Sequence, residues 1–290
     1  MIDHANARGL PVTIISNGRL VDERTAQAIA ARRVDYVQVT LTGPDAATHD
    51  AHCGAGSFEG VTAGIGRLVA AGVPVGGSFL CTRRNFAAAR ATLELLRQLG
   101  ANRHAAFNRF NPSGHALAAM REMMPTRAEV LAALAQAQAF AEKHDVAIHC
   151  TMPIPFCMVD ESEYPRIRFG QCSAGCDEGE YAVDPQGRLK LCTLQQRPLG
   201  SLFEHSLSEL VGSEAVRSFR SRVPAFCEPC PHRAGCLGGC GAAAEWVFGR
   251  PDALDPFLAQ HILLDFWNQS ATIRRDGDSG TAPVPGRGTR

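Results

Sequence analysis

The chain has 290 residues, of which 45% are apolar, so it can bury a sizeable core as two domains or as one domain with a large appendage. Its 29 Lys and Arg residues balance its 29 Asp and Glu residues, and this zero net charge argues against a nucleic-acid-binding surface. No apolar run reaches the roughly 18 residues of a membrane span, and the first residues lack a signal-peptide core, so we expect no membrane insertion and a cytoplasmic protein.

The first half of the chain alternates short β-branched runs with helical patterns. Helices are predicted to begin at Asp22, at Ser57, at Phe86 and at the capping box Thr126-Arg-Ala-Glu129. The predicted strands are 12–16, 36–41, 73–80, 105–107 and 146–152. This alternation predicts a parallel sheet with right-handed crossovers, either open or closed into a barrel.

The character of the sequence changes near Pro165. Residues 180–184 and 189–192 flank a Pro-Gln-Gly turn signal, which predicts a β-hairpin. Helical spacing then recurs over 207–222 and 257–268.

Seven of the eleven cysteines lie at short spacings between residues 172 and 240. They are Cys172, Cys176, Cys192, Cys227, Cys230, Cys236 and Cys240. Cys192 ends a G-x4-C pattern that begins at Gly187, and the last four cysteines form C-x2-C-x5-C-x3-C in a loop rich in Gly and Pro. Short spacers let several thiolates point at one centre, and a reducing compartment disfavours disulfides, so the pattern predicts metal ligands.

Two other interpretations of the cysteines stay open. Zinc is the alternative metal, because C-x2-C pairs also occur in zinc ribbons, although seven thiolates fit a single four-thiolate site poorly. Cys53, Cys81 and Cys150 are predicted to be buried or partly buried structural side chains. Cys157 follows the last predicted strand of the first half, where a ligand is within reach, but we assign it a structural role as well.

The hairpin with G-x4-C and C-x2-C-x5-C-x3-C resembles the SPASM extension of radical S-adenosylmethionine (SAM) enzymes. Short motifs of the first half resemble segments of the same family, in the family's order. They are Ser16-Asn17-Gly18, Thr40-Leu41-Thr42-Gly43, His49-Asp50 with Gly56-Ser57-Phe58, Thr82 with Asn85, and the segment 107–114.

The resemblance implies an α/β fold with two domains. A partial (β/α)6 radical SAM barrel is expected over 1–160, a small cysteine-rich SPASM α+β domain over 166–268, and a disordered tail over 269–290. The sequence contains neither the C-x3-C-x2-C motif that binds the SAM-cleaving cluster in this family nor the Gly-Gly-Glu segment that follows it. The sequence predicts five of the six strands of such a barrel, and the missing strand is the first. We therefore expect an N-terminally truncated chain that does not cleave SAM alone; the alternative is a degenerate paralogue.

The resemblance also implies two auxiliary [4Fe-4S] clusters. Cys172, Cys176, Cys192 and Cys240 would hold the first cluster. Cys227, Cys230 and Cys236 would hold the second. Because no cysteine follows Cys240, the last iron of the second cluster is expected to be open or bound by a group such as Asp255 or His261.

Four polar residues follow or end predicted strands at the edge where ligands of parallel α/β sheets bind. The resemblance implies that Thr40, Thr82 and Asn85 contact SAM, and Arg109 suits a carboxylate at the same edge. The alternative is that the Thr and Asn side chains only satisfy loop backbone groups. The sequence identifies no catalytic residue.

The resemblance implies an enzyme that modifies a peptide or protein substrate. SAM would be reduced to a 5′-deoxyadenosyl radical that abstracts hydrogen from the substrate, and the auxiliary clusters would carry an electron or bind the substrate. The expected partners are that substrate and an electron donor such as a flavodoxin or ferredoxin. Thr193 stands where sulfatase-maturing members carry an acidic residue, which disfavours that activity. The alternative function is a non-catalytic iron–sulfur protein for electron transfer or binding.

Overall fold

The computed structural model of the chain describes residues 1–176 and 179–263. A six-stranded parallel sheet lies in the first part of the chain, with its strands side by side in sequence order. Its strands are β1 (Thr13–Ser16), β2 (Tyr36–Leu41), β3 (Val75–Cys81), β4 (Ala105–Arg109), β5 (Ile148–Cys150) and β6 (Ile167–Phe169). A three-stranded antiparallel sheet follows, formed by β7 (Ala182–Val183), β8 (Arg188–Lys190) and β9 (Gly200–Ser201).

Helices connect the parallel strands and dominate the last part of the described chain. The helices of the first part are α1 (Ile2–Ala7), α2 (Glu23–Ala30), α3 (Ala46–Cys53), α4 (Ser57–Ala70), α5 (Ala89–Gln98), α6 (Met120–Met123) and α7 (Arg127–His144). Those of the second part are α8 (Leu207–Val211), α9 (Glu214–Arg220), α10 (Arg233–Cys236), α11 (Gly241–Phe248) and α12 (Pro256–Ile262). The expected α/β fold is thereby confirmed.

The strand β6 was not among the five strands predicted from the sequence. It has three residues between Pro165 and Gly170, which is too short for a period to be recognised, and it pairs in parallel with β5. The segment expected to begin the SPASM domain thus contributes its first residues to the large sheet. The helix α3 was also missed, although Asp45 caps it by accepting a hydrogen bond from the Thr48 amide.

One face of the parallel sheet is apolar and covered by helices. Val39, Leu41, Phe79 and Phe107 on this face are fully buried, and they belong to one core with the inner sides of α2, α4, α5 and α7. The strand β2 alternates between buried and half-buried residues, as expected for a strand with two different faces.

The opposite face of the parallel sheet is polar. The strand register places Gln38 and Thr40 of β2, Ser78 of β3, Asn108 of β4 and His149 of β5 on this side. Helices on one face and polar residues on the other are what an incomplete barrel presents, with the polar face as its interior.

The second part of the described chain builds small apolar clusters of its own and then returns to the parallel sheet. The expected hairpin is confirmed as β7 and β8, with Gly187 at φ +75° in the turn. Phe257 and Leu258 of α12 join the core of the first part. The end of the helix expected over 257–268 and the expected tail over 269–290 lie outside the described residues. Within 1–176 and 179–263, no helix has the length and apolar character to cross a membrane.

The longest helix, α7, begins at the predicted capping box. The Thr126 hydroxyl accepts from the Glu129 amide and the Glu129 carboxylate accepts from the Thr126 amide. We expect Thr126→Ala to lower the free energy of unfolding by about 1 kcal/mol, measured by urea denaturation. Ser206→Ala at the capping box of the exposed five-residue helix α8 is the control. It should cost less, because α8 supports little of the core; equal losses would contradict this reasoning.

Candidate functional site

Three of the four cysteines expected for the first cluster lie together. Cys192 follows β8 and packs against the apolar cluster that contains Cys240, the N-cap residue of α11. The neighbouring Cys172 thiol adds to the effect of burial in raising the pKa of Cys192. Cys176 is exposed, and its thiol donates to the Ser173 carbonyl at 3.2 Å. It borders residues 177 and 178, which lie outside the described part of the chain.

Hydrogen-bond donors converge on the sulfurs of this group. The Asn111 side-chain amide donates to the Cys240 sulfur at 3.2 Å, and the Ala243 amide donates to the same sulfur at 3.4 Å. Asn111 follows β4, so Cys240 lies beside the carboxyl end of that strand. Asn111 lies in the segment 107–114 that the resemblance singled out, but its contact with Cys240 spans 129 residues, and no local pattern in the sequence predicts it.

Arg222 is a buried cation beside the same group. Its guanidinium donates to the Cys172 sulfur at 3.5 Å and to the Phe219 carbonyl at 2.7 Å, and it lies 3.9 Å from the centroid of the Phe219 ring. Within residues 1–176 and 179–263, no carboxylate forms an ion pair with Arg222. A buried charge is costly without a counter-charge, and thiolates at Cys172 and Cys192 would provide one. The site therefore fits metal-bound thiolates better than neutral thiols.

The structure locates the second group of expected ligands in the loop before α11. Burial, with a smaller contribution from the nearby thiols of Cys236, Cys157 and Cys230, raises the pKa of Cys227 to about 11. Burial also raises the pKa of Cys240 to about 11. These thiols are therefore protonated at neutral pH in the free protein, and metal binding must displace their protons.

The spacing of the cysteines is informative about the metal. Across the described ranges 1–176 and 179–263, no three His, Cys, Asp or Glu side chains are close enough to hold a single metal ion. A tetrahedral zinc ion needs its thiolates roughly 3.8 Å apart, since Zn–S bonds are about 2.3 Å long. A four-iron cluster holds each thiolate on a different iron and therefore farther from the others. Seven cysteines also exceed the four ligands of one zinc ion, and this count favours clusters over zinc.

The remaining cysteines differ in their surroundings. Cys81 and Cys150 are buried in the main core, as predicted. The prediction for Cys53 is wrong, because this side chain is exposed at the end of α3. The periodicity of one short helix did not reveal which side of it faces solvent.

Thr82 and Asn85, two of the residues expected to contact SAM, bind each other at the carboxyl end of β3. The Asn85 side-chain oxygen accepts from the Thr82 amide and hydroxyl, while its amide donates to the Thr42 and Leu80 carbonyls. His52 contacts the Thr82 hydroxyl at 2.8 Å. Both residues are almost fully buried, so their side chains order the loop between β3 and α5 in this structure.

Arg109 has a different set of partners from the one that the resemblance implied. Its guanidinium is fully buried, forms an ion pair with Asp255 and donates to the Pro153 carbonyl at 2.9 Å. The other side-chain oxygen contacts of Asp255 are with the amides of Cys240 and Phe257, both at 2.8 Å. Arg109 and Asp255 thus neutralise each other's charge, and Asp255 also holds the backbone of the loop at Cys240.

Thr40 lies on the polar face of the sheet, half-buried and opposite Ser78 in the register of β2 and β3. Asn108 extends this face onto β4, and its side-chain oxygen accepts from the amides of Thr151 and Met152. The strand period places Asn108 and Arg109 on opposite faces. That period was available in the sequence and favours Asn108 over Arg109 as a residue of the polar face.

A cavity of about 420 Å³ opens beside the first cysteine group. Thr193, which follows Cys192, lines it together with Trp246 of α11 and Ser113 after β4. The Trp246 indole donates to the Leu194 carbonyl at 2.7 Å, which fixes the ring.

Comparison with known families gives two matches along the chain. Residues 1–96 match the model of the radical SAM superfamily. Residues 172–232 match the SPASM model, which is described as an iron-sulfur cluster-binding domain.

The similar curated proteins include cyclases and maturases. The PqqA peptide cyclase of Methylocella silvestris is 26% identical over 265 residues, which cover 88% of this chain and 69% of the cyclase. The mycofactocin maturase MftC of Mycobacterium ulcerans is 27% identical over 275 residues, covering 90% of this chain and 70% of the maturase.

Solved structures share the fold. The structure of anSMEcpe with bound AdoMet and a Cp18Cys peptide has a TM-score of 0.64 at 14% identity, covering 92% of this chain and 78% of that chain. The structure of Streptococcus suis SuiB also has a TM-score of 0.64, at 13% identity, covering 87% of this chain and 61% of SuiB.

The buried ion pair generates a stability prediction. We expect Asp255→Ala to lower the free energy of unfolding by about 3–5 kcal/mol, because it leaves the Arg109 charge buried without a partner. The measurement is urea denaturation of the cofactor-free chain. Glu23→Ala is the control, since the Glu23–Arg67 pair is exposed and should contribute at most about 1 kcal/mol.

A double variant separates loss of the pair from loss of packing. Arg109→Met with Asp255→Leu should be less destabilising than Asp255→Ala alone, because no unpaired charge remains. Charge pairing would be contradicted if the double variant lost as much free energy of unfolding as Arg109→Met and Asp255→Leu lose together as single variants.

Proposed function

We propose that this chain, which belongs to the radical SAM proteins with a SPASM domain, modifies a peptide or protein substrate. One observation supports this proposal above the others: Cys172, Cys192 and Cys240 gather with the buried guanidinium of Arg222 beside the carboxyl ends of the parallel strands. The relatives named above are cyclases and maturases, which does not favour the non-catalytic alternative.

The auxiliary [4Fe-4S] clusters, when bound, would supply electron transfer or a substrate-binding iron next to the SAM chemistry. We assign the first cluster to Cys172, Cys176, Cys192 and Cys240. Cys227, Cys230 and Cys236 are assigned to the second cluster. The chain itself contributes hydrogen-bond donors from Asn111 and Ala243 to the Cys240 sulfur, and the Arg222 guanidinium beside the Cys172 sulfur. Such contacts around the ligands influence the reduction potential of a cluster.

For SAM we retain Thr40, because its side chain lies on the polar face that the helices leave uncovered. Thr82 and Asn85 support this site by holding the loop after β3 against the Thr42 carbonyl. Arg109 supports it from the other side of the sheet through its bond to the Pro153 carbonyl. These three residues would therefore act on SAM by fixing backbone positions.

The substrate class follows from the relatives and from the cavity beside Cys192. PqqA peptide cyclases act on a peptide by their name, and anSMEcpe and SuiB have been solved with bound peptides. The cavity at Thr193 and Trp246 adjoins the first cysteine group, so we propose that it receives the substrate peptide. Reduction would require an electron donor such as a flavodoxin or ferredoxin, and we propose a cytoplasmic site of action.

The proposal predicts cluster loading and SAM turnover. The 290-residue chain, and any longer product of the reading frame that contains it, are reconstituted with iron and sulfide without oxygen. The 290-residue chain should bind about eight irons, enough for two clusters. A longer product that contains a C-x3-C-x2-C motif should bind a third cluster. With a reductant, it should release 5′-deoxyadenosine from SAM.

The outcomes separate the alternatives. If a product that contains this motif loads its clusters but makes no 5′-deoxyadenosine, the result would support an electron-transfer function and refute the enzymatic function. A colourless protein with zinc in place of iron would refute both. Peptides encoded beside the gene can be co-expressed with the protein and analysed by mass spectrometry. Their mass should change with the parent protein and stay unchanged with a variant that lacks Cys192.

The hydrogen bond from Asn111 to the Cys240 sulfur generates a second prediction. A neutral hydrogen bond is worth about 0.5–1.5 kcal/mol, which corresponds to roughly 20–65 mV for a one-electron couple. We expect Asn111→Ala to lower the potential of one auxiliary cluster by about that amount, measured by redox titration with electron paramagnetic resonance. Asn6→Ala on the exposed helix α1 is the control and should leave both potentials unchanged.

A further inference from the structure

The loop after β5 holds Cys157 in a fixed position. Ile154, Met158 and Val159 on either side of it are buried in the main core. The Met158 amide donates to the Pro155 carbonyl at 2.8 Å, which closes a tight turn around Cys157, and Arg127 of α7 donates to the Met158 carbonyl at 2.9 Å. Cys157 itself is exposed at the tip of this turn.

This turn packs against the loop that contains Cys236. The ring of Phe156, next to Cys157, contacts the His232 ring edge-on with centroids 5.9 Å apart. A Cβ atom added to Gly235 would lie 3.9 Å from the Phe156 ring, and one added to Gly239 would lie 2.9 Å from Pro155. The two residues that precede Cys157 therefore lie against residues on both sides of Cys236.

The thiols of Cys157, Cys227, Cys230 and Cys236 are near neighbours in this region. Cys157 interacts with Cys236 and Cys230, and Cys227 interacts with all three. None of these four thiols is assigned to the first group, whose members interact among themselves and with Arg222 and Asn111.

Asp255, one of the two groups that the sequence offered for the fourth position beside His261, is already engaged. Asp255, which the sequence offered as a ligand, is fully buried, pairs with Arg109 and contacts the first-group residue Cys240. Its carboxylate therefore lies on the side of the first cysteine group.

We propose that Cys157 is the fourth thiolate ligand of the cluster held by Cys227, Cys230 and Cys236. The inference rests on the proposed cluster content and goes beyond it by assigning a ligand outside the cysteine-rich segment. Ligation forms one Fe–S bond as the thiol gives its proton to solvent and an exogenous ligand leaves the iron; no electron is transferred. Each of the four irons then has a protein thiolate.

This ligand would join the two parts of the chain through the cluster. Cys157 extends from the loop after β5 of the large sheet, whereas the other three ligands lie in the loop before α11. The second cluster would therefore be coordinatively saturated and would serve electron transfer, with no open iron for substrate.

The test compares Cys157→Ala with Cys53→Ala in the full 290-residue chain, reconstituted without oxygen. Cys53 is the matched control because it is also exposed and lies in α3, away from the cysteine-rich loop. We expect Cys157→Ala to lose one iron or one whole cluster of the roughly two that the parent chain holds. On mild oxidation it should give the resonance signal of a three-iron cluster, as Cys227→Ala should.

A labelling experiment on the parent chain needs no variant. In the cofactor-free chain, Cys53 and Cys157 should both react with iodoacetamide. Cluster loading should protect Cys157 from the reagent and leave Cys53 reactive, as measured by mass spectrometry of the labelled peptides. A loaded chain in which Cys157 still reacts like Cys53, or a Cys157→Ala variant with unchanged iron and spectra, would overturn the assignment. A parent chain that binds no iron would refute the proposed cofactors instead.

Discussion

The buried ion pair between Arg109 and Asp255 is the interaction on which the rest of the site depends. Both side chains are fully excluded from solvent, so neither charge is tolerable without the other. Arg109 ends β4, and Asp255 precedes α12 at a separation of 146 residues. The same carboxylate receives the amides of Cys240 and Phe257, and the same guanidinium bonds to the Pro153 carbonyl. One ion pair therefore fixes the end of a strand, the loop before Cys157, the last cysteine and the last helix.

The division of the sheet into two faces explains why the pair can be structural while the neighbouring residues serve a ligand. Successive side chains of β4 alternate, so Arg109 points away from the polar face on which Asn108 lies. The helix-covered side requires every polar group to be satisfied internally, and Arg109 meets that requirement through Asp255. On the side that the helices leave uncovered, half-buried Thr40 and almost fully buried Ser78 lie in register.

Local signals in the sequence predicted the local structure well. Capping at Asp22 and Thr126 and the alternation of β2 were readable because they depend on neighbours within a few residues. The strand β6 was too short to show a period. The partners of Asp255, Arg222 and Cys157 depend on which distant loops meet, and no local pattern contains that information. Cysteine spacing predicted the kind of centre, whereas only the three-dimensional structure brings Cys157 beside Cys236 and identifies the cation beside Cys172.

Metal loading and folding of the second part are physically coupled. Its apolar clusters are small, whereas the first part shares one extensive core. In the free protein, Arg222 is a buried cation and Cys240 a buried thiol whose pKa is raised to about 11 by burial. Ligation converts thiols to thiolates, which both removes the protons and gives the guanidinium a negative neighbour. The Asp255 carboxylate already accepts from the Cys240 amide at 2.8 Å, so the backbone of this ligand is positioned before ligation. The binding free energy of the cluster then adds to the stability of the second part.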